Sequence, residues 1–185
     1  LQGTFTKGLD LIPGIESKLK KYDRFIDTHR IMVFNYKIAS LYFGSGDNET
    51  AIKYLNKIIN LKVGHLRTDI QCFARILHLI AHFELGNTDI LEYLIKSVYR
   101  FLSKMEDMDA VLNEIFRFLR RSLSGKPKNL TQNFIDLRNK LEKVSHSKYA
   151  RRSYQYLDIV SWLDSKIEKK PVQDIIRRKY LEREK

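Results

Sequence analysis

A helix, a tight glycine turn and a second helix recur along the chain at a nearly constant interval, and that recurrence restricts the fold more than any other feature. Residues 38–59 carry the motif first, with Gly46 supplying the left-handed residue that ends one helix and Asp47 or Asn48 offering a side-chain oxygen to cap the next. The second turn glycine, Gly86, follows 40 residues later, and Gly125 another 39 after that. A fixed period of this size marks an array of helical hairpins.

Alignment on the glycine tests the repeat more severely. Five residues after it stand Ala51, Leu91 and Leu130; nine after, Leu55, Ile95 and Phe134; twelve after, Ile58, Val98 and Leu137. Thirteen before it stand Val33, Phe73 and Leu112, and ten before it Tyr36, Ile76 and Ile115. These offsets keep one stripe of each helix apolar, as packing against neighbouring helices requires.

The pattern predicts hairpins over about 28–61, 68–104, 109–145 and 148–181, with Thr68 and Asp109 as helix caps. Ahead of them, Ile15, Leu19, Tyr22 and Ile26 are spaced as a helix over 11–26, read as the second helix of an upstream repeat, and residues 1–10 as a tail or the end of a preceding element. In the last hairpin Tyr149, Tyr156, Val160, Leu163 and Ile167 are expected on one helix and Val172, Ile175, Ile176 and Tyr180 on the other. No glycine marks that pair, as befits a degenerate terminal unit. Residues 11–185 then form a single helical-repeat domain.

With 43% hydrophobic residues and three prolines among 185, the chain has the composition of a compact, mostly helical protein. Cys72 is its only cysteine, so the fold depends on no internal disulfide and a cytoplasmic home is expected. The longest apolar run, residues 76–83, is interrupted by His78 and His82 and is far short of the roughly 20 residues of a membrane helix. The start at Leu1 rather than methionine reads as a piece of something longer. The net charge of +12 is uneven: residues 1–116 hold 15 Lys and Arg against 14 Asp and Glu, residues 117–185 hold 19 against 8. The basic last third points to an anionic partner.

Tyr42, Gly46, Ala51, Leu55 and Ile58 fall four before, at, five after, nine after and twelve after the turn glycine, and in this spacing residues 33–60 resemble a tetratricopeptide (TPR) repeat. The period of 39–40 residues exceeds the family's roughly 34, the proline that ends a family repeat is absent, and Tyr42 becomes His82 and Arg121 in the later copies. The resemblance implies an all-α, right-handed α-solenoid of about four antiparallel hairpins that binds proteins in a groove, without catalysis or cofactor. Its groove positions map onto Val33, Tyr36, Ser40 and Phe43, onto Phe73, Ile76, Ile80 and Phe83, and onto Leu112, Ile115, Leu119 and Ser122. So apolar a groove either takes an apolar segment or is filled by the protein's own chain or a preceding domain.

Catalytic signatures are missing: there is no nucleophile elbow and no phosphate loop, and Cys72 sits at an apolar helical position. His78 and His82 share a helical face, but zinc needs at least a third protein ligand and none stands one turn away. The expected function is that of a non-enzymatic protein-interaction scaffold without metal or cofactor. Its partner is expected to be a protein or peptide, acidic or from the same polypeptide, with no membrane. Candidate contact residues are Tyr36, Phe43 and Phe83 in the groove and Arg117, Arg120, Arg121, Arg151 and Arg152 on the basic last third. Those arginines, with Lys126, Lys128, Lys148, Tyr149 and Tyr154, also fit a nucleic-acid-binding repeat, the alternative function.

Overall fold

The computed structural model describes residues 2–103, 110–123, 129–144 and 156–184. Among them every regular element is helical and there is no strand. In chain order these are α1 (Phe5–Leu9), α2 (Ile12–Lys21), a 3-10 turn (Asp23–Phe25), α3 (Thr28–Ser45), α4 (Asn48–Ile59) and α5 (Thr68–Glu84). There follow α6 (Thr88–Leu102), α7 (Ala110–Leu123), α8 (Leu130–Val144), α9 (Ile159–Glu168) and α10 (Val172–Arg183). The chain divides into two compact units, Leu1–Ala81 with Pro171–Lys185, and His82–Lys170. The repeat pattern does not mark this division, which falls inside α5.

The turns at Gly46 and Gly86 are built as their sequence predicts. Gly46 ends α3 at φ 93°; its amide donates to Phe43 O, and the amide of Asp47 reaches back to Tyr42 O. Forty residues on, Gly86 has φ 69°, its amide donates to Phe83 O and that of Asn87 to His82 O. Both turns thus use the same pair of backbone bonds to satisfy the last carbonyls of a helix. Asp47 then caps α4 by accepting from the Thr50 amide at 2.9 Å. Gly125 and Asp109 lie outside the described residues. Of the nine aligned apolar positions after the glycine, eight are buried and only Leu130 is half-buried; Leu55 is fully enclosed, Ile95 and Phe134 nearly so.

In the first unit α3 packs on α4, α1 and α10. Gly44 has no side chain, and the ring of Phe5 lies against its backbone. Thr6 donates to Gln173 Oε1 at 2.9 Å and Arg177 to the carbonyl of Gln2 at 3.3 Å, so the two ends of the chain meet. Residues 5–9 therefore form a helix packed within the first unit, with Phe5 in the core. The helix expected over 11–26 stops at Lys21, because Ile26 must be extended to let Asp27 cap α3 through the Arg30 amide. Its apolar stripe is correspondingly shallow: Ile15, Leu19 and Ile26 are half-buried and Tyr22 is exposed.

The 62–67 linker differs in detail from its sequence reading. Thr68 is the first residue of α5, and its hydroxyl donates to His65 O, whereas it was expected to cap the helix. Arg67 takes a left-handed φ of 48°, held by a two-pronged bond to Asp69 at 2.9 Å on each prong. The buried Gln71 amide closes the linker by donating to Gly64 O and Leu66 O.

In the second unit α7 packs on α6 and α8, and α8 on α9. A single helix was expected to carry Tyr156 to Ile167, but Leu157 and Asp158 are not helical. Asp158 starts α9 instead, accepting from the Ser161 amide at 3.1 Å and from its hydroxyl at 2.8 Å. That frame buries Ile159, Trp162 and Leu163 and leaves Val160 and Ile167 half-buried.

Candidate functional site

Helix α7 separates its residues cleanly by period. Leu112, Ile115, Phe116, Phe118, Leu119 and Ser122 are buried, and Arg117, Arg120 and Arg121 are left on the exposed side. Arg117 bonds Glu114 at 3.0 Å, and Lys140 of α8 stands 3.9 Å from the other oxygen of that carboxylate. The Arg120 guanidinium lies 5.8 Å from the centre of the Tyr99 ring, which in turn stacks on Phe116. Arg121 and Lys143 make no ion pair among the described residues. On α8 the buried Phe134, Leu137 and Leu141 alternate with outward Asp136, Asn139, Lys140 and Lys143.

Between the two helices runs a cleft of about 360 Å³ with Phe118 and Leu137 among its lining residues. Arg121, Ser122 and Asn133 line it from the turn side, and Glu114, Lys140 and Lys143 from farther along the hairpin. Such a volume lies near the lower end of the roughly 300–1,000 Å³ of small-ligand pockets. It holds a side chain or two, not a folded domain.

The apolar members of the candidate set lie elsewhere. Tyr36 is 1% exposed and Phe43 9%, so both belong to the core of the first unit and offer no groove to a partner. Ile76, Ile80, Ile115 and Leu119 are likewise enclosed. Phe83 is half-buried and meets Phe134 and Trp162 edge-on, with ring centres 6.2 and 6.3 Å away. Trp162 is a core residue that sequence reasoning missed, as Phe5 is in the first unit. Its indole N–H donates to Glu84 at 2.6 Å, and Lys166 bonds the other oxygen of the same carboxylate. The signal was present in the 159, 162, 163 spacing behind an Asp158 cap. Arg151 and Arg152, with Lys148, Tyr149 and Tyr154, lie outside the described residues.

The remaining reactive side chains are quiet. Burial pushes the Cys72 thiol from its ordinary 9.0 up to about 12, the nearby Arg75 opposing the shift only in part. His78 is buried; His82 is half-buried, shares a hydrogen bond with Asn87 at 3.0 Å, and is held below its usual pKa by desolvation. Among the described residues no three His, Cys, Asp or Glu side chains gather as a metal site would require. Nor is any described helix long and apolar enough to cross a membrane. Comparison with family models, with curated proteins and with solved structures finds no match to this chain.

Proposed function

We propose that this chain is a non-enzymatic protein-interaction module, a TPR-like α-solenoid of helical hairpins that meets an acidic protein partner through the basic face of α7 and α8. One observation carries the reading: the apolar positions that a TPR groove would offer are largely buried, while Arg117, Arg120, Arg121 and Lys143 stand exposed on adjoining helices. The repeated turn chemistry at Gly46 and Gly86 supports the solenoid, and the lone buried thiol accords with a cytoplasmic setting. Because Tyr36 and Phe43 are interior, their truncation reads out as lost stability, and affinity depends on the cations.

The second reading, nucleic acid, draws on Tyr99 lying under Arg120 as a base-stacking platform would. Two measurements separate the readings. Reversing Arg117, Arg120 and Arg121 to Glu is expected to abolish capture of a protein partner, and reversing Lys18, Lys20 and Lys21 on α2 to leave it intact. Fluorescence anisotropy with labelled single- and double-stranded oligonucleotides is expected to show no submicromolar binding at physiological salt. Tight binding whose logarithm falls linearly with log salt, at about −0.9 per duplex phosphate neutralised, would overturn the protein-partner reading.

A further inference from the structure

Ser122 is 3% exposed, lines the α7–α8 cleft, and its hydroxyl has no hydrogen-bond partner among the described residues. Buried hydroxyls are nearly always paired, since an unmade bond leaves the desolvation cost uncompensated. Other buried or half-buried helical serines of this chain avoid that cost by donating within the preceding turn: Ser40 to Tyr36 O at 2.8 Å, Ser161 to Asp158 Oδ2 at 2.8 Å and Ser165 to Trp162 O at 2.6 Å. Ser122 departs from that habit at the wall of a cleft.

The charges around it are also unequally satisfied. Glu114 is engaged by Arg117 and Lys140, and Asp136 accepts from the Gln132 amide at 2.9 Å. Arg121 and Lys143 have no acidic partner among the described residues and line the same cleft as Asn133. Among the described residues of the lining, three cations stand against two carboxylates, a net of one positive charge. That balance matches a single carboxylate; a phosphate dianion or a polyanionic backbone would meet Glu114 and Asp136 with charge to spare.

We propose that this cleft receives one carboxylate side chain of an acidic partner peptide, with Arg121, Lys143 and the Ser122 hydroxyl as its donors. The proposal rests on the protein-partner reading above and adds to it the place and the ligand chemistry. Phe118 and Leu137 in the lining would take the methylenes of a glutamate or an apolar neighbour.

The test uses a short labelled peptide of glutamate and leucine at physiological salt, read by anisotropy, beside versions with glutamine or phosphoserine in place of glutamate. The glutamate peptide is expected to bind and the glutamine one not, with the phosphoserine version no tighter than glutamate. Arg121→Ala and Lys143→Ala each weaken binding about three- to tenfold, and Lys20→Ala, an equal loss of charge in the other unit, has no effect. Ser122→Ala weakens binding while leaving the melting temperature unchanged or raised, because it removes no internal bond. Glutamate-peptide binding indifferent to Arg121→Ala and Ser122→Ala, or tighter binding of phosphoserine, overturns the cleft and leaves the partner reading standing. Failure of the glutamate peptide to bind also overturns the cleft, and oligonucleotide binding in its stead overturns both.

Discussion

Gly44 and Gly46, two residues apart at the end of α3, resist substitution for different reasons. At Gly46 an added Cβ meets nothing, so the cost of Gly46→Val is backbone strain at φ 93°, about 1–2 kcal/mol in a denaturant titration. At Gly44 the added atom would overlap the Phe5 ring, so Gly44→Ala displaces a buried aromatic. The Phe5→Ala, Gly44→Ala double variant should therefore lose less stability than the two single losses added, whereas additive losses would deny the contact. Leu55, fully enclosed in α4, costs about 2–5 kcal/mol on truncation to Ala. Cys72 supplies a pH dependence. Its thiol pKa is higher folded than unfolded, so its contribution is fully present below pH 9 and is lost as pH rises toward about 12. Alkylation near pH 8 should label it only when the protein is unfolded, and labelling of the native protein at the rate of a free thiol would contradict its burial.

At the scale of elements, the end of α5 is tied to α9 by Glu84, which accepts from the Trp162 indole and pairs with Lys166. Both members of the ion pair are under a third exposed, so the interaction is weakly screened. Glu84→Gln retains an acceptor for the indole and should cost about 1–3 kcal/mol; Glu84→Leu leaves the buried N–H unsatisfied and should cost more. Equal losses, measured by chemical denaturation, would show that the Trp162 bond contributes nothing. A second tie joins α8 to α9, where Arg138 reaches the buried Asp164 at 2.6 Å and pairs also with Glu142. The hydrogen bond to the Asp164 carboxylate holds the Arg138 guanidinium above its usual pKa. Neither tie is visible in periodicity, since each depends on which helices meet.

For the molecule as a whole, the division into two units gives an expectation for hydrogen exchange. Ile175 on α10 is fully buried in the first unit, so Ile175→Asp should speed amide exchange in α1 and α3 far more than in α8 and α9. Uniform acceleration would mean that the units unfold as one. What the sequence by itself determined is the set of features encoded within a few residues: the helical class, the turns at Gly46 and Gly86, and the apolar stripes through Leu55, Ile95 and Phe134. A left-handed cap and a 3.6-residue period are local properties of the chain, and they read correctly here. The basic character of α7 was equally legible, as composition fixes it. The fate of Tyr36 and Phe43 was decided only in tertiary structure, because an apolar stripe looks the same whether it lines an open groove or lies in the core. The break at Asp158, the engagement of Trp162 by a glutamate 78 residues away, and the cleft beside Ser122 were decided there too. Each depends on the approach of segments far apart in sequence, and no local pattern specifies that approach.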